Sequence, residues 1–280
     1  MWAPLDVVAI AVPLIGTVGL LVFGLVSART ASLLPLLAGL SMFLVAAVSV
    51  ALPRLPQDQP APTQPVRIAS ANVLGGNRQL NGAAAALAVR GADVLVVIEA
   101  GRDLSDEVRA VTSHPEELTF GQFRVWSRWP LTRLPTSVAL ADLPSVRVRI
   151  DRPGAPFVLH VVHAPNPLYE TTFEQQEAMA GHLMRAAGAE ELPVVVVGDL
   201  NLSDRTEGYR ILTGSMRDAM RAGSWPGDTY RLHVWRTLLL RIDHLLVPKD
   251  WCARDPVTFV VPGSDHRGIE ATIGPCPAGG

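Results

Sequence analysis

Asp199 and Asn201 stand side by side in the tetrapeptide GDLN, residues 198–201, directly after the valine run Val194–Val197 and before the polar turn Ser203–Thr206. A carboxylate next to an amide suits a site that activates a water and holds an anion. The same pair also suits an Asx turn closing a strand, and the tetrapeptide alone leaves both readings open. The β-branched run that stops abruptly before it reads as a buried strand. That strand delivers both side chains to its C-terminal edge. They share one face if the strand persists, or one loop if it ends.

Other polar groups sit in the same relation to other apolar runs. The run Val66–Val73 holds Asn72 near its end and leads into Gly75-Gly76-Asn77, a strand entering a turn. Asn72 there is an active-site amide or a strand-end cap. Val94–Ile98 ends in Glu99. A carboxylate at the mouth of a buried strand is costly unless it is solvated, paired or bound to a metal, so Glu99 is a metal ligand or a salt-bridge partner. Phe157–Val162 runs into His163-Ala164-Pro165-Asn166, a loop able to hold a phosphate or simply to bond to itself. Asp243 opens the strand Leu245–Val247, and Val257–Val261 leads into the loop Gly263–Arg267 with Asp265 and His266. An Asp–His step after a late strand suits acid–base or metal chemistry, with the distant Asp243 orienting His266 and favouring its charged form.

The elements between these runs alternate in type. Asn81 caps an Ala-rich helix that ends by Gly91. Gln122–Ser127 is a strand, and Val146–Ile150 pairs with Phe157–Val162 around the turn Arg152-Pro153-Gly154. Glu170–Ala187 has helical spacing with Phe173, Met179, Leu183 and Met184 as its core face, and Gly188 ends it. Tyr209–Met220 reads as a short helix and turn. The aromatic stretch Trp225–Trp235 with Leu238–Leu240 is ordinary packing in preference to a lid or a lipid-facing lip.

The first fifty residues are different. Val7–Val26 and Ala31–Leu52 are uncharged and each is about long enough to cross a bilayer as a helix. The first is longer than a signal-peptide core and lacks a basic leader, so residues 1–53 are expected to form a transmembrane hairpin. Arg29 in the connector, against an N-terminus without Lys or Arg, places the connector in the cytoplasm and the C-terminal domain outside, with Arg54 at the other boundary pulling the opposite way. Residues 54–65 are rich in Pro and Gln and read as an extended linker; the globular domain is expected to occupy residues 66–280.

Among the 280 residues 49% are hydrophobic, the mean hydropathy is +0.26, and the net charge is −2, with Lys249 the only lysine. The scattered basic residues argue against a strong non-specific grip on duplex nucleic acid. The two cysteines, Cys252 and Cys276, have no zinc spacing and are either a disulfide in an oxidising compartment or two thiols.

Taken together, Asn72, Glu99, His163 with Asn166, GDLN, RIDH (residues 241–244) and SDHR (residues 264–267) follow the order found in the endonuclease/exonuclease/phosphatase (DNase I-like) superfamily. The resemblance covers Val66–Ile273. VWSRWP, residues 125–130, and the apolar hairpin look most like its bacterial membrane-anchored branch, which includes YafD-like proteins and the VanJ-like proteins associated with glycopeptide-antibiotic resistance. The resemblance implies an α/β fold, a four-layered sandwich of two packed sheets flanked by helices. It also implies Mg²⁺- or Mn²⁺-dependent attack of water on phosphorus. Glu99 would be the main metal ligand with Asn72 beside it and Asp265 near the metal or a second ligand. Asp199 would orient or deprotonate the water. Asn201, Asn166 and His163 would hold phosphate oxygens, and His266, paired to Asp243, would stabilise the transition state. Two departures stand out. The first strand reads NVLGG, without the acidic residue some relatives carry two positions past the Asn, so the resemblance leaves open whether there is a second metal subsite. Glu99 lies in VIEA in place of the commoner QE context.

Of the substrates this chemistry admits, a lipid-linked phosphate fits a site held close to a bilayer. An extracytoplasmic nuclease fits less well, given the acidic balance, and an inactive phosphate-binding scaffold would not need the full set of polar positions.

Overall fold

Long apolar stretches satisfy their backbone only internally once out of water, and the N-terminal region does so as two helices. The protein is described here by a computed structural model covering residues 3–167, 169–230 and 238–278. Helix α1 spans Ala3–Thr30 and α2 spans Leu33–Ala51, joined at Ala31 in the left-handed region (φ 49°), with Ser32 capping α2. They form a hairpin whose contact is made by small residues: a Cβ on Gly16 would lie 2.4 Å from that of Ala46. Both helices are long and apolar enough to cross a membrane, and Leu21, Leu25, Leu33 and Leu34 stay exposed.

Beyond the hairpin the chain runs β1 (Val66–Asn72), α3 (Leu80–Ala88), β2 (Val94–Ile98), α4 (Arg102–Val111), β3 (Glu116–Phe120), β4 (Phe123–Ser127) and β5 (Leu131–Arg133). It continues β6 (Ser145–Ile150), β7 (Phe157–His163), α5 (Phe173–Gly188), β8 (Val194–Asp199), α6 (Glu207–Ser215), β9 (Met216–Asp218), β10 (Asp243–Pro248), β11 (Trp251–Val260) and β12 (Arg267–Pro275). Among the described residues the strands form two six-stranded sheets, ordered β11-β12-β1-β2-β4-β3 and β5-β6-β7-β8-β10-β9. Each sheet is mixed, with one parallel pair at its centre, β1–β2 and β7–β8.

Period-two alternation sorts the layers. Val66, Ile68, Val94, Val96, Leu159, Val161, Val195, Val197, Leu245 and Val247 meet in the core between the sheets. The residues between them face outward: Leu95 and Val97 pack with α3 and α4, and Val194, Val196 and Leu246 with α5 and α6. This is the expected four-layered α/β sandwich.

Local readings differ in detail. Helix α3 begins at Leu80, one residue before Asn81, because Asn77 Oδ1 accepts from Gln79 N–H and fixes the chain there. Strand β11 begins at Trp251, well before Val257, and a bulge between Arg254 and Val257 hides its alternation. Helix α5 starts at Phe173 behind a Thr172–Gln175 capping box, and its fully buried face is Phe173, Gln176, Ala180, Leu183 and Ala186, with Met179 and Met184 at the margin. Cys252 and Cys276 form a disulfide, with Cα atoms 5.0 Å apart.

Residues 54–65 do not cross open solvent. Gln57 forms a bridge with Ala222, Ala253 N–H donates to Gln59 Oε1, and Thr63 N–H donates to the Pro275 carbonyl. The hairpin is held as closely. Arg54, 5% exposed, pairs with Asp204 and Asp228, each at 2.6 Å. Pro13 has no N–H, which frees the Ala9 carbonyl in α1, and Arg205 Nε donates to it at 3.0 Å. Asp6 accepts from Glu207 N–H at the start of α6, 3.0 Å. Asp204, Arg205 and Glu207 all follow GDLN directly, so the membrane-type hairpin is bonded to the loop that carries Asn201.

Candidate active site

Register puts three polar side chains in a row. His163 is the last residue of β7, Asp199 the last of β8 and Asp243 the first of β10; His163 and Asp243 both pair with Asp199 across the neighbouring strands. Each has the same parity as the inter-sheet valines of its strand, so all three point to the gap between the sheets. Asn72, at the end of β1 in the opposite sheet, has the parity of Val66 and Ile68 and points into the same gap. Gly198 permits this convergence. Its φ is +139°, and a Cβ there would meet the Val162 carbonyl oxygen at 2.1 Å.

Asn72 Nδ2 donates to Glu99 Oε1 at 2.8 Å and to Asp199 Oδ2 at 3.1 Å, joining one carboxylate from each sheet. Its Oδ1 accepts from Leu74 N–H, 3.0 Å. By alternation Glu99 would face α3 and α4; its left-handed backbone, φ 59°, ends β2 and turns the carboxylate into the cleft, where Gly75 N–H donates to Oε2 at 2.7 Å. Asn201 is also left-handed, φ 48°. Its N–H donates to Asp199 Oδ1 (3.0 Å) and its Nδ2 to the Ala164 carbonyl (2.7 Å), so GDLN closes its strand with an Asx turn.

His163 Nδ1 donates to Gln122 Oε1 at 2.8 Å, which leaves Nε2 3.6 Å from Glu99 Oε1 and 3.7 Å from Asp199 Oδ2. His266 Nδ1 donates to Asp243 Oδ2 at 2.9 Å, and its Nε2 lies 3.5 Å from Asp199 Oδ2. Ser264 ties the His266 loop to β1, accepting from His266 N–H and donating to the Asn72 carbonyl. The Tyr230 ring packs edge-on against His266, with centroids 5.1 Å apart.

Burial pushes the Asp199 carboxyl up to about 6, against the opposing pull of His266 and His163. Burial alone would favour neutral His266, but the carboxylates of Asp243 and Asp199 outweigh it and raise its pKa to about 10, so the ring is a cation at neutral pH. Burial, aided by Asp265, pushes the Tyr230 hydroxyl up to about 12.

Among the described residues one cluster of three ligand-type side chains could hold a cation, and Glu99 offers a carboxylate beside it. Asp199, Asp243 and His266 offer atoms within 4.8 Å of one another. A histidine held protonated by its partner carboxylate is not a ligand, however, and this trio reads better as a hydrogen-bonded relay. The Glu99 side offers hard carboxylate oxygen, partly open to solvent, which suits Mg²⁺ or Mn²⁺. Asp265 Oδ1 is buried without a hydrogen-bond partner, as an oxygen meant for a cation would be. Asn72 spaces the Glu99 and Asp199 carboxylates with its Nδ2, and its Oδ1 accepts one bond from Leu74 N–H, which leaves that oxygen a second lone pair.

Asn166 lies with Asn201 along the wall of a neighbouring cleft, its backbone carbonyl accepting from Tyr169, Glu170 and Thr171. Sequence reasoning missed Gln122, Ser264, Thr229 and Tyr230. Thr229 Oγ1 accepts from Ile242 and Asp243 N–H and so seats the Asp243 strand. Of Trp225–Trp235, residues 231–235 lie outside the described residues; Trp225 is exposed.

His244 of RIDH is not in the site. It faces away from Asp243 and joins a buried network with Arg241, Asp218, Tyr209 and Asp204 beneath the GDLN loop. Arg241 Nη2 lies 2.7 Å from Asp218 Oδ2, and His244 Nε2 donates to the Leu202 carbonyl at 2.7 Å. Burial pushes His244 down to about 4, and the Arg241 charge adds to it.

Two mixed sheets packed face to face, with carboxylates, amides and a charged histidine at one edge, define a DNase I-like phosphoester hydrolase. A sequence model of the "Endonuclease/Exonuclease/phosphatase family" matches residues 69–266, and the chain belongs to that family. Solved structures share the fold. An endonuclease/exonuclease/phosphatase from Bacteroides vulgatus is 18% identical with TM-score 0.58, over 76% of this chain and 100% of that one. Sphingomyelinase C from Streptomyces griseocarneus is 15% identical with TM-score 0.55, over 75% and 99%. A mannosyl-6-phosphatase from Bacteroides thetaiotaomicron is 12% identical with TM-score 0.54, over 74% and 99%. No curated protein sequence matches the chain.

Proposed function

We propose that the protein is a membrane-anchored, divalent-metal-dependent phosphohydrolase that cleaves a lipid-linked phosphate ester, diester or diphosphate at the outer face of the membrane. The observation that carries this reading is the contact of Asn72 with both Glu99 and Asp199, which unites the two sheets' polar edges beside the charged His266. Glu99, with Asn72 beside it and Asp265, would hold the cation, Mg²⁺ or Mn²⁺. When bound, it neutralises phosphate charge and polarises the P–O bond.

Asp199 accepts a proton from the attacking water. A carboxyl raised to about 6 remains ionised at neutral pH and is a stronger base than an ordinary aspartate. The water oxygen bonds to phosphorus as the bond to the leaving oxygen breaks. His266, kept charged by Asp243, donates to the phosphoryl oxygens as charge builds on them, and Asn201, Asn166 and His163 bind those oxygens.

The placement outside the cytoplasm draws on two features. A disulfide persists in oxidising compartments. Arg54, which opposed the charge bias of Arg29, is consumed in ion pairs with Asp204 and Asp228 and no longer acts as a free juxtamembrane cation.

The test is full-length protein in detergent with Mg²⁺ or EDTA, offered plasmid DNA, a polyprenyl diphosphate and sphingomyelin in parallel. EDTA-sensitive turnover of a lipid substrate is expected. Cleavage of DNA alone contradicts the lipid substrate, and metal-independent turnover contradicts the mechanism.

A further inference from the structure

A narrow cleft, open to solvent, leads away from the catalytic groups toward α1. At one side it is lined by Asn201, Asn166 and Tyr230; at the other by Leu238, Leu240 and Ile10 of α1. The first side touches the chemistry directly, since Asn201 N–H bonds to Asp199 and the Tyr230 ring packs on His266. On the second side Ile10 belongs to α1, a helix whose outward residues are exposed hydrocarbon. The helix cannot drift from the cleft. Arg205 binds the carbonyl of Ala9, the residue before Ile10, and also the Leu238 carbonyl at 2.7 Å. One guanidinium thus fixes both apolar walls relative to each other.

From this continuity we propose that the cleft is a binding site for the hydrocarbon chain of a lipid phosphate drawn from the bilayer. The proximal chain lies between α1 and the Leu238–Leu240 segment while the phosphate reaches Asp199 and His266. This rests on the phosphohydrolase reading and specifies the group esterified to the phosphate. An apolar wall has no use for a nucleotide or a sugar next to the phosphate, whereas each methylene removed from water adds roughly fourfold in affinity. The hairpin, on this account, is half of the substrate site as well as an anchor.

The experiment uses full-length protein in detergent with Mg²⁺ and two chromogenic diesters differing only in chain, methyl and dodecyl para-nitrophenyl phosphate. Wild-type protein is expected to prefer the dodecyl ester in kcat/KM. Ile10→Trp and, separately, Leu240→Trp fill the apolar side of the cleft from two different elements, and each is expected to lower the dodecyl-to-methyl ratio by about tenfold or more, mainly through KM. An unchanged ratio in both variants overturns the proposal. Should wild-type protein hydrolyse neither ester, the phosphohydrolase reading fails, and the cleft is judged by photolabelling with a dodecyl phosphate carrying a chain-terminal diazirine. Label on peptides containing Ile10 and residues 238–242 sustains the chain site; label confined to the outer faces of α1 and α2 overturns it.

Discussion

Asp199 meets partners from both sheets, and few single positions in the protein carry as many consequences. It is 1% exposed, accepts from Asn72 and from Asn201 N–H, and lies within 4 Å of two histidines. With Asp199 as the proposed base, Asp199→Ala is expected to lower turnover by on the order of a thousandfold or more while the domain stays folded. Glu99→Ala is expected to act as severely through loss of the cation. Because Glu99 sits at φ 59°, Glu99→Gly keeps that backbone at less strain and is expected to be inactive yet at least as stable as Glu99→Ala by thermal unfolding. A Glu99→Ala protein retaining most of its rate would remove the metal from Glu99. These two carboxylates were legible in the sequence because each ends a valine-rich run. Gln122, Ser264 and Tyr230 were not. Each acts through a partner distant in sequence, His163, Asn72 and His266 respectively, and nothing in its own surroundings announces that.

At the scale of elements, β8 and its following loop are the least replaceable part. Gly198→Ala would force a Cβ onto the Val162 carbonyl and is expected to cost more than about 3 kcal/mol, or to prevent folding, read by thermal denaturation. The network under that loop carries a pH signature. His244 is neutral in the fold, with its pKa lowered to about 4 from an ordinary 6.5, facing Arg241, Asp218, Asp204 and the Tyr209 hydroxyl. The unfolded chain therefore binds more protons between these values, and the stability His244 contributes is full above about pH 6.5 and lost as pH falls toward 4. His244→Gln is expected to flatten that part of the unfolding profile; an unchanged slope would place the acid sensitivity elsewhere. Strands were readable where alternation was clean, as in β1, β2, β7 and β8. They were hidden where the run was short or polar, as in β3 and β5, or broken by the bulge in β11. Alternation sends Asp243 and His244 to opposite faces, Asp243 to the gap between the sheets and His244 to the buried network under the GDLN loop.

For the whole molecule, the hairpin and the catalytic sandwich are one bonded unit. Asp204 joins Arg54, Arg205 and Arg241 beneath the active loop, and those arginines hold its carboxyl below the usual range despite its burial. Removing it leaves buried cations without a partner, so Asp204→Ala is expected to cost about 3–5 kcal/mol in detergent and to loosen the hairpin from the domain. Protection of α1 and α2 from proteolysis in that variant equal to wild type would contradict the coupling. The sequence suggested an apolar hairpin, a Pro/Gln-rich connector and a separate enzyme. It did not reveal the joint, because Asp6, Arg54 and Arg205 read as boundary or turn residues until the fold brings them together.

The most direct test is the rate of hydrolysis of a simple diester, bis(para-nitrophenyl) phosphate, by full-length wild-type and Asp199→Ala protein with Mg²⁺ and after its removal by EDTA. The account expects turnover by wild type that EDTA abolishes and added Mg²⁺ restores, and none above background from Asp199→Ala under either condition. Turnover that persists in EDTA, or that survives in Asp199→Ala, would contradict it.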